Sequence, residues 1–169
     1  MMGAGKTTVG LSLARRTGGR YVDNDELLVL ATGHTARELR ATGGDASLRA
    51  GEAAVVDLAL QLPAPVIVGI AAGVVLDPAD RGRLRAGGHV VWLRAGPATL
   101  VPRLGPGSHR PFMEGDLRGW VERTVVEREP LYREVAHSIV DVDDRSADQV
   151  AEDILAALQS DDVRTGVAP

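Results

Sequence analysis

The chain opens with Met1-Met2-Gly3-Ala4-Gly5-Lys6-Thr7-Thr8, a glycine-rich stretch that ends in a lysine and two hydroxyl side chains. Lys6 is the only lysine among the 19 strongly basic residues of the 169-residue chain. The pattern G-x-x-x-x-G-K-[ST] forms a nest of backbone N–H groups around nucleotide phosphates; its lysine reaches the β- and γ-phosphates and its hydroxyl binds Mg²⁺. The stretch therefore predicts a phosphate-binding loop with Lys6 as a catalytic residue and Thr7 as a magnesium ligand. The ATP-binding residues of this loop would be Gly3, Ala4, Gly5, Lys6, Thr7 and Thr8.

The residues after this loop favour a helix, and the residues expected before it are not in the sequence. Val9–Arg16 has a helical pattern, and the positive end of its dipole would add to the phosphate site. The first glycine of the pattern would lie one residue before Met1, and the strand that feeds such a loop would precede that glycine. We therefore expect a short apolar strand and a glycine upstream, as would follow from a start codon assigned too late.

The composition is typical of one globular domain with its own core. Aromatic residues make up only 3% of the chain, so the core is built from Ala, Val, Leu and Ile. A net charge of −4 disfavours a nucleic-acid partner, and the lack of cysteine excludes disulfides, thiolate zinc sites and a thiol nucleophile. There is no membrane-spanning apolar run and no signal peptide, so we expect a cytoplasmic protein with no membrane partner. We also expect a monomer.

Short apolar runs alternate with helical stretches along the chain. The strand candidates are Tyr21-Val22, Val66–Gly69, His89–Leu93 and Ser138–Val140. The helix candidates are Asp25–Ala31, Ala46–Leu62, Pro78–Ala86, Pro97–Leu104, Leu117–Ala136 and Ala147–Leu158, with Asp45 and Ser146 as N-caps. This alternation predicts a parallel sheet with helices on both faces, an α/β fold of three layers. Residues 1–158 would form one domain, 105–115 a mobile flap rich in glycine and proline, and 159–169 a disordered tail.

Two carboxylates, Asp23 and Asp25, follow the first strand candidate. Because open α/β sheets bind ligands at the carboxyl ends of their strands, both should face the phosphate-binding loop. One carboxylate could hold Mg²⁺ through water while the other orients an attacking hydroxyl group. The alternative is that one of them only caps the next helix.

The order of these motifs resembles that of the shikimate kinase family. After GAGKTT come Asp23-Asn24-Asp25, Gly44-Asp45-Ala46-Ser47-Leu48-Arg49-Ala50-Gly51-Glu52, Ala71-Ala72-Gly73, Arg110-Pro111 and Arg128-Glu129-Pro130-Leu131-Tyr132-Arg133. The resemblance extends from Met1 to about Leu158. It implies a P-loop fold of three α/β/α layers with strand order 2-3-1-4-5, from which the first strand and the first P-loop glycine would be missing here.

The resemblance also implies a reaction, the transfer of a phosphoryl group from ATP to the 3-hydroxyl of shikimate, with Mg²⁺. Asp25 would hold the acceptor hydroxyl and act as its base, and Arg110 in the flap would meet the transferring phosphoryl group. Asp23 would bind Mg²⁺ through water. The substrate-binding residues implied are Asp25, Arg49, Ala72, Gly73 and Arg128. The further ATP-binding residues implied are Arg103, Arg110 and Arg145.

The chain departs from the family where Ala71-Ala72-Gly73 replaces a triple glycine. An alanine held at φ > 0 costs about 1–2 kcal/mol, and its methyl group would narrow the pocket. Three interpretations are left open: a shikimate kinase, a kinase of the same fold for another small hydroxylated carboxylate such as gluconate, and a degenerate nucleotide-binding protein without activity. The two arginines Arg49 and Arg128 favour a carboxylate substrate, and Arg110 argues against a protein that only binds nucleotide.

Overall fold

The computed structural model describes residues 1–105 and 116–165, with side chains up to residue 160. The strands are β1 (Arg20–Asp23), β2 (Val66–Gly69), β3 (Val91–Arg94) and β4 (Ser138–Asp141). The helices are α1 (Lys6–Thr17), α2 (Asn24–Thr32), α3 (Ala36–Leu60), α4 (Pro78–Gly87), α5 (Pro97–Leu104), α6 (Leu117–Val135) and α7 (Ala147–Thr165), with a 3-10 turn at Val74–Leu76. None of these helices combines the length and the apolar character that crossing a membrane requires.

The four described strands run parallel in two separate pairs. β1 pairs with β2, which places Asp23 opposite Gly69, and β3 pairs with β4, which places Arg94 opposite Asp141. In the predicted order 2-3-1-4-5, strand 1 is the missing strand, so β1 to β4 correspond to strands 2 to 5. Leaving out strand 1 divides that order into the pairs 2-3 and 4-5, which are the observed pairs β1–β2 and β3–β4. The predicted parallel arrangement is confirmed, and it places the carboxyl ends of β1 and β2 side by side.

Helices cover both faces of the β1–β2 pair. Successive side chains of a strand point to opposite faces, so each face packs against a different set of helices. Tyr21 lies against Gly10 of α1 on one face. Val22 and Val68 point to the other face, where they pack with buried residues of α2 and α3: Leu27, Leu28, Leu39, Leu48, Val55 and Ala59. A second cluster joins α1, β3, β4, α6 and α7 through Val9, Leu13, Leu93, Val121, Val135, Val140 and Ile154. These two clusters form the core that the α/β/α prediction requires.

Helix α3 begins at Ala36 rather than at the predicted Ala46. Thr35 and Glu38 form a capping box, in which Glu38 N–H donates to Thr35 Oγ1 (3.3 Å) and Thr35 N–H donates to Glu38 Oε2 (2.7 Å). Gly43 and Gly44 interrupt the helix, and Gly44 has a φ of 64°. The predicted N-cap Asp45 instead accepts a hydrogen bond from Arg40 Nε at 3.0 Å.

Helix α7 begins as predicted and ends later. Ser146 Oγ accepts from Gln149 N–H (3.2 Å) and Gln149 Oε1 accepts from Ser146 N–H (2.9 Å), which confirms Ser146 as an N-cap. The helix continues past the predicted end at Leu158 to Thr165, within the segment predicted to be a tail. The predicted flap, apart from Gly105, lies outside the described residues.

Candidate active site

The glycine-rich loop leads directly into the start of α1, where the first-turn backbone N–H groups lie. Gly3 and Gly5 have φ angles of 76° and 92°, in the left-handed region that favours glycine. Gly5 is the N-cap of α1, no side chain caps the helix, and its first turn holds no acidic residue. Lys6 Nζ donates to Met1 O at 3.5 Å, so the ammonium group folds back over the loop. The first-turn N–H groups and the lysine together fit the phosphates of a nucleotide.

Thr7 and Asp23 meet beside this loop. Thr7 Oγ1 donates to Asp23 Oδ2 at 3.2 Å, and Asp25 N–H donates to Asp23 Oδ1 at 3.1 Å, so Asp23 also caps α2. Burial raises the pKa of Asp23, but hydrogen bonds from Tyr21, Asp25 and Thr7 outweigh it and hold that pKa below its ordinary value. Asp23 therefore caps α2, which the alternative interpretation predicted for one of this pair, and its Oδ2 contacts Thr7; its role toward Mg²⁺ stays a prediction.

A hydroxyl and a carboxylate are oxygen donors of the kind that Mg²⁺ prefers. Within residues 1–105 and 116–160, no three His, Cys, Asp or Glu side chains gather into a metal-binding cluster. A nucleotide-bound Mg²⁺ needs no such cluster, because it keeps several waters and takes other ligands from the phosphates. Thr7 and Asp23 thus fit the Mg²⁺ ion that the resemblance implies.

Asn24 links the two sides of the site, and sequence reasoning missed it. Its side chain is 6% exposed. Asn24 Oδ1 accepts from Ala71 N–H at 3.0 Å, and Asn24 Nδ2 donates to Asp25 Oδ1 at 3.4 Å. The amide therefore joins Asp25 to the turn Ala71–Gly73. The available signal was an amide, which both donates and accepts, placed between two carboxylates at a strand end.

Arg49 and Glu52 form an ion pair within α3, one helical turn apart. Glu52 is 6% exposed. Burial raises the pKa of Glu52 above its ordinary value, and the neighbouring Arg49 guanidinium opposes this rise. A Cβ added at Gly73 would lie 2.1 Å from Arg49 Nη1. Because Gly73 has a φ of −84°, glycine is required there for space rather than for an unusual backbone conformation.

Arg128 approaches the same turn from α6. Arg128 Nη1 donates to Ala72 O at 3.0 Å, and the Tyr132 hydroxyl donates to the same oxygen at 3.2 Å. Arg49 of α3 and Arg128 of α6 therefore meet at Ala71–Gly73. Two guanidinium groups at one turn suit a carboxylate ligand, which they can bind through paired hydrogen bonds.

The alanines of this turn are not strained. Among the described non-glycine residues, only Asp144 has a positive φ. Ala71 and Ala72 therefore do not carry the cost of an alanine held at φ > 0. Ala71 packs against the core cluster that contains Val74 and Val75, so its methyl group has an apolar environment.

The other predicted arginines differ in their surroundings. Arg103 Nη1 donates to Gly3 O at 3.2 Å, which brings this side chain to the phosphate-binding loop. Arg145 is bonded within its own loop and α7, to Asp153 Oδ2 at 2.5 Å and to Gln149 O at 3.2 Å. Arg110 lies outside the described residues.

Tyr21 also reaches the site, and it was not predicted. Its hydroxyl donates to Asp23 Oδ2 at 2.7 Å. Burial, aided by the Asp23 carboxylate, raises the pKa of Tyr21 to about 12, although a hydrogen bond to Thr7 opposes the rise. The hydroxyl therefore keeps its proton and acts as a donor. No sequence motif marked this residue; the available signal was the alternation of side chains along β1, which places Tyr21 and Asp23 on the same face.

Comparison with known proteins identifies the family of this chain. A sequence model of the family described as shikimate kinase matches residues 2–159. The shikimate kinase of Symbiobacterium thermophilum is 38% identical over 162 residues, covering 94% of this chain and 92% of that protein. The shikimate kinase of Halorhodospira halophila is 37% identical over 159 residues, covering 94% and 89%.

Solved structures share the fold. The structure of "Shikimate kinase from Acinetobacter baumannii in complex with shikimate" has a TM-score of 0.87 at 28% identity, covering 95% of this chain and 89% of that one. The shikimate kinase of Bacteroides thetaiotaomicron has a TM-score of 0.82 at 24% identity, covering 94% of both chains, and supports the fold. Because the family match spans nearly the whole chain and the relatives align over most of their own length, this chain belongs to the shikimate kinase family.

Proposed function

We propose that this chain transfers the γ-phosphoryl group of ATP to the 3-hydroxyl group of shikimate, giving ADP and 3-phosphoshikimate. The observation that carries the proposal is the meeting of Arg49 and Arg128 at Ala71–Gly73, beside Asp25 and the phosphate-binding loop. Family membership supports it, as does a related structure whose own ligand is shikimate.

The nucleotide is bound by the loop and α1. The backbone N–H groups of Gly3–Thr8 hold the phosphates, and Lys6 places its charge at the β- and γ-phosphates. Thr7 and Asp23 would hold Mg²⁺, which when bound offsets the charge on the phosphate oxygens. Arg103, held at Gly3 O, and Arg145 are assigned to the adenine side.

The acceptor is bound by the turn and the two arginines. Arg49 and Arg128 bind the shikimate carboxylate, and Glu52 keeps the Arg49 guanidinium in place. Asp25, held by Asn24, accepts a hydrogen bond from the 3-hydroxyl and takes its proton as the oxygen attacks the γ-phosphorus. The bond from that phosphorus to the bridging oxygen of ADP breaks as the new bond forms. Arg110 is assigned to the transferring phosphoryl group.

A coupled ADP-release assay with ATP, Mg²⁺ and shikimate tests this function, with gluconate as a second acceptor. We expect turnover that depends on shikimate. Arg49→Ala and Arg128→Ala should raise the KM for shikimate and leave the KM for ATP unchanged. Arg118→Ala is the matched control, because Arg118 is 67% exposed and pairs with Glu122 at 3.7 Å on the outer surface of α6.

Two results would contradict the proposal. Turnover with gluconate and not with shikimate would assign another acceptor. A folded protein that binds ATP and releases no ADP with either acceptor would be a nucleotide-binding protein without this activity.

Arg110→Ala should lower kcat much more than it weakens substrate binding, and an unchanged kcat would remove Arg110 from the mechanism.

A further inference from the structure

Tyr21 donates its hydroxyl to the carboxylate assigned to the metal. The Tyr21 oxygen lies 2.7 Å from Asp23 Oδ2 and 3.5 Å from Thr7 Oγ1. Thr7 Oγ1 donates to the same Asp23 oxygen at 3.2 Å. The tyrosine hydroxyl, the carboxylate and the threonine hydroxyl therefore form one closed set of contacts between β1 and α1.

Two glycines make room for the Tyr21 ring. A Cβ added at Gly10 of α1 would lie 2.3 Å from ring carbons of Tyr21, and one added at Gly69 of β2 would lie 2.2 Å from its hydroxyl oxygen. Neither glycine has a φ between +20° and +160°, so the backbone does not require glycine at these positions. The space is required instead, which holds the ring between α1 and β2 and leaves the hydroxyl directed at Asp23.

This arrangement determines which lone pairs are available to a cation. The Thr7 proton is donated to Asp23, so the lone pairs of Thr7 Oγ1 are left for a ligand. Asp23 Oδ1 accepts from Asp25 N–H and Oδ2 accepts from both hydroxyls, so the carboxylate is held at each oxygen. Removing the Tyr21 donor leaves Oδ2 with the longer contact to Thr7 alone.

We propose that Tyr21 is a positioning residue of the nucleotide half of the site. Its hydroxyl orients the Asp23 carboxylate, and through that carboxylate the Thr7 hydroxyl, toward the divalent cation that accompanies the nucleotide. The inference rests on the proposed function only in taking a metal–nucleotide complex as substrate. It adds a role for a hydroxyl group that belongs to no P-loop or D-x-D motif. Its test uses no acceptor, so its failure can be told apart from a failure of the shikimate assignment.

Tyr21→Phe is the test variant, because it keeps the ring between Gly10 and Gly69 and removes only the hydroxyl. Mn²⁺ is the probe, and its binding to the full chain with ADP is followed by electron paramagnetic resonance of the free ion. We expect the Mn²⁺ dissociation constant in the presence of ADP to rise about 10- to 100-fold, as for other partners that orient metal ligands. ADP affinity measured calorimetrically in EDTA should not change.

The measurement of ADP affinity in EDTA separates two roles of the Tyr21 hydroxyl, orienting the metal ligands and supporting the phosphate-binding loop. An unchanged Mn²⁺ dissociation constant would overturn the proposal. So would an equal loss of ADP affinity in EDTA, since it would show that the hydroxyl supports the phosphate-binding loop as a whole. In the kinase assay, Tyr21→Phe should raise the Mg²⁺ concentration needed for half-maximal rate and leave the KM for shikimate unchanged.

Gly69→Ala gives an independent route to the same displacement. Its Cβ would push the Tyr21 hydroxyl away from Asp23, so it should weaken Mn²⁺ binding in the Tyr21 protein and add little in the Tyr21→Phe protein. Gly82→Ala is the matched control, because a Cβ at Gly82 meets nothing within 4 Å. Additive effects in the double variant would contradict a shared path through Tyr21. Should Gly69→Ala not fold, Tyr21→Phe decides the question alone.

Discussion

Gly73→Ala is expected to weaken shikimate binding in a chain that still folds. The added Cβ would lie 2.1 Å from Arg49 Nη1 and 2.9 Å from Glu52 Oε1, both much closer than van der Waals contact. Arg49 Nη1 is the end of a long, 37% exposed side chain, so the guanidinium can swing aside. In doing so it leaves the position from which we expect it to bind the substrate carboxylate.

The magnitude follows from what the displaced arginine loses. Gly73 has φ −84° and ψ −24°, which an alanine adopts freely, and the substitution itself stabilises by about 0.4–1 kcal/mol through the unfolded state. Glu52, 6% exposed, loses a hydrogen bond to a charged partner, which costs about 1.5–3 kcal/mol. The net loss of unfolding free energy is therefore about 0.5–2.6 kcal/mol. A lost charged hydrogen bond to substrate, also about 1.5–3 kcal/mol, corresponds to a roughly 10- to 150-fold lower kcat/KM for shikimate.

The measurement is kcat and KM for shikimate and for ATP by coupled ADP release, together with the unfolding free energy in urea. The KM for shikimate should carry most of the change, and the KM for ATP should stay constant. The controls Gly82→Ala, whose added Cβ meets nothing within 4 Å, and Ala72→Gly should keep the parent KM for shikimate. Their unfolding free energies should shift by about 0.4–1 kcal/mol, upward for Gly82→Ala and downward for Ala72→Gly, through the unfolded state. The reasoning is refuted if Gly73→Ala lowers stability as calculated while the KM for shikimate is unchanged, because Arg49 would then not be part of the acceptor site.

Three other perturbations test separate parts of the site. Lys6→Met should abolish ADP release without changing the melting temperature, since the ammonium group is placed for phosphate charge; residual turnover above the blank would remove Lys6 from catalysis. Tyr132→Phe removes one of the two donors to Ala72 O and should lower the unfolding free energy in urea by about 0.5–1.5 kcal/mol, and no change would mean that the hydrogen bond contributes nothing. Burial raises the pKa of Glu52 above its ordinary 4.5, so the folded chain binds this proton more tightly than the unfolded chain does. The unfolding free energy of the parent relative to Glu52→Gln should therefore fall as the pH rises from about 4 to about 7, and a difference independent of pH would contradict the raised pKa.

Local patterns predicted most of the fold, and the main error in the helix bounds also had a local cause. The alternation of apolar runs and helices predicted the parallel strands, because burial on both faces makes such strands visible as short apolar runs. The first half of α3 was missed because Gly43-Gly44 is typical of a helix end. The capping box of Thr35 and Glu38 was the signal that would have found it.

The residues of the candidate site were also predicted only in part. Motif spacing predicted Lys6, Thr7 and Asp23 as site residues, and the structure brings Thr7 Oγ1 within 3.2 Å of Asp23 Oδ2. Asn24 was not identified because its partner, Ala71 N–H, is brought near only by the fold. Tyr21 was not identified although it lies two residues before Asp23, on the same face of β1. The roles of these and the other site residues stay predictions until the variants are measured.

The turn Ala71–Gly73 has alanines at two positions where the resemblance implies glycine, and its contacts are compatible with them. The turn contributes backbone groups: Ala71 N–H donates to Asn24, and Ala72 O accepts from Arg128 and Tyr132. A methyl group at either alanine leaves these hydrogen bonds in place, and neither residue needs a positive φ. Only the third position faces a guanidinium group at a distance that excludes a Cβ, and glycine is retained there. The substitutions are therefore compatible with binding a carboxylate, and Ala71→Gly and Ala72→Gly should leave the KM for shikimate near that of the parent chain. A large drop in KM in either variant would show instead that the methyl groups obstruct the acceptor.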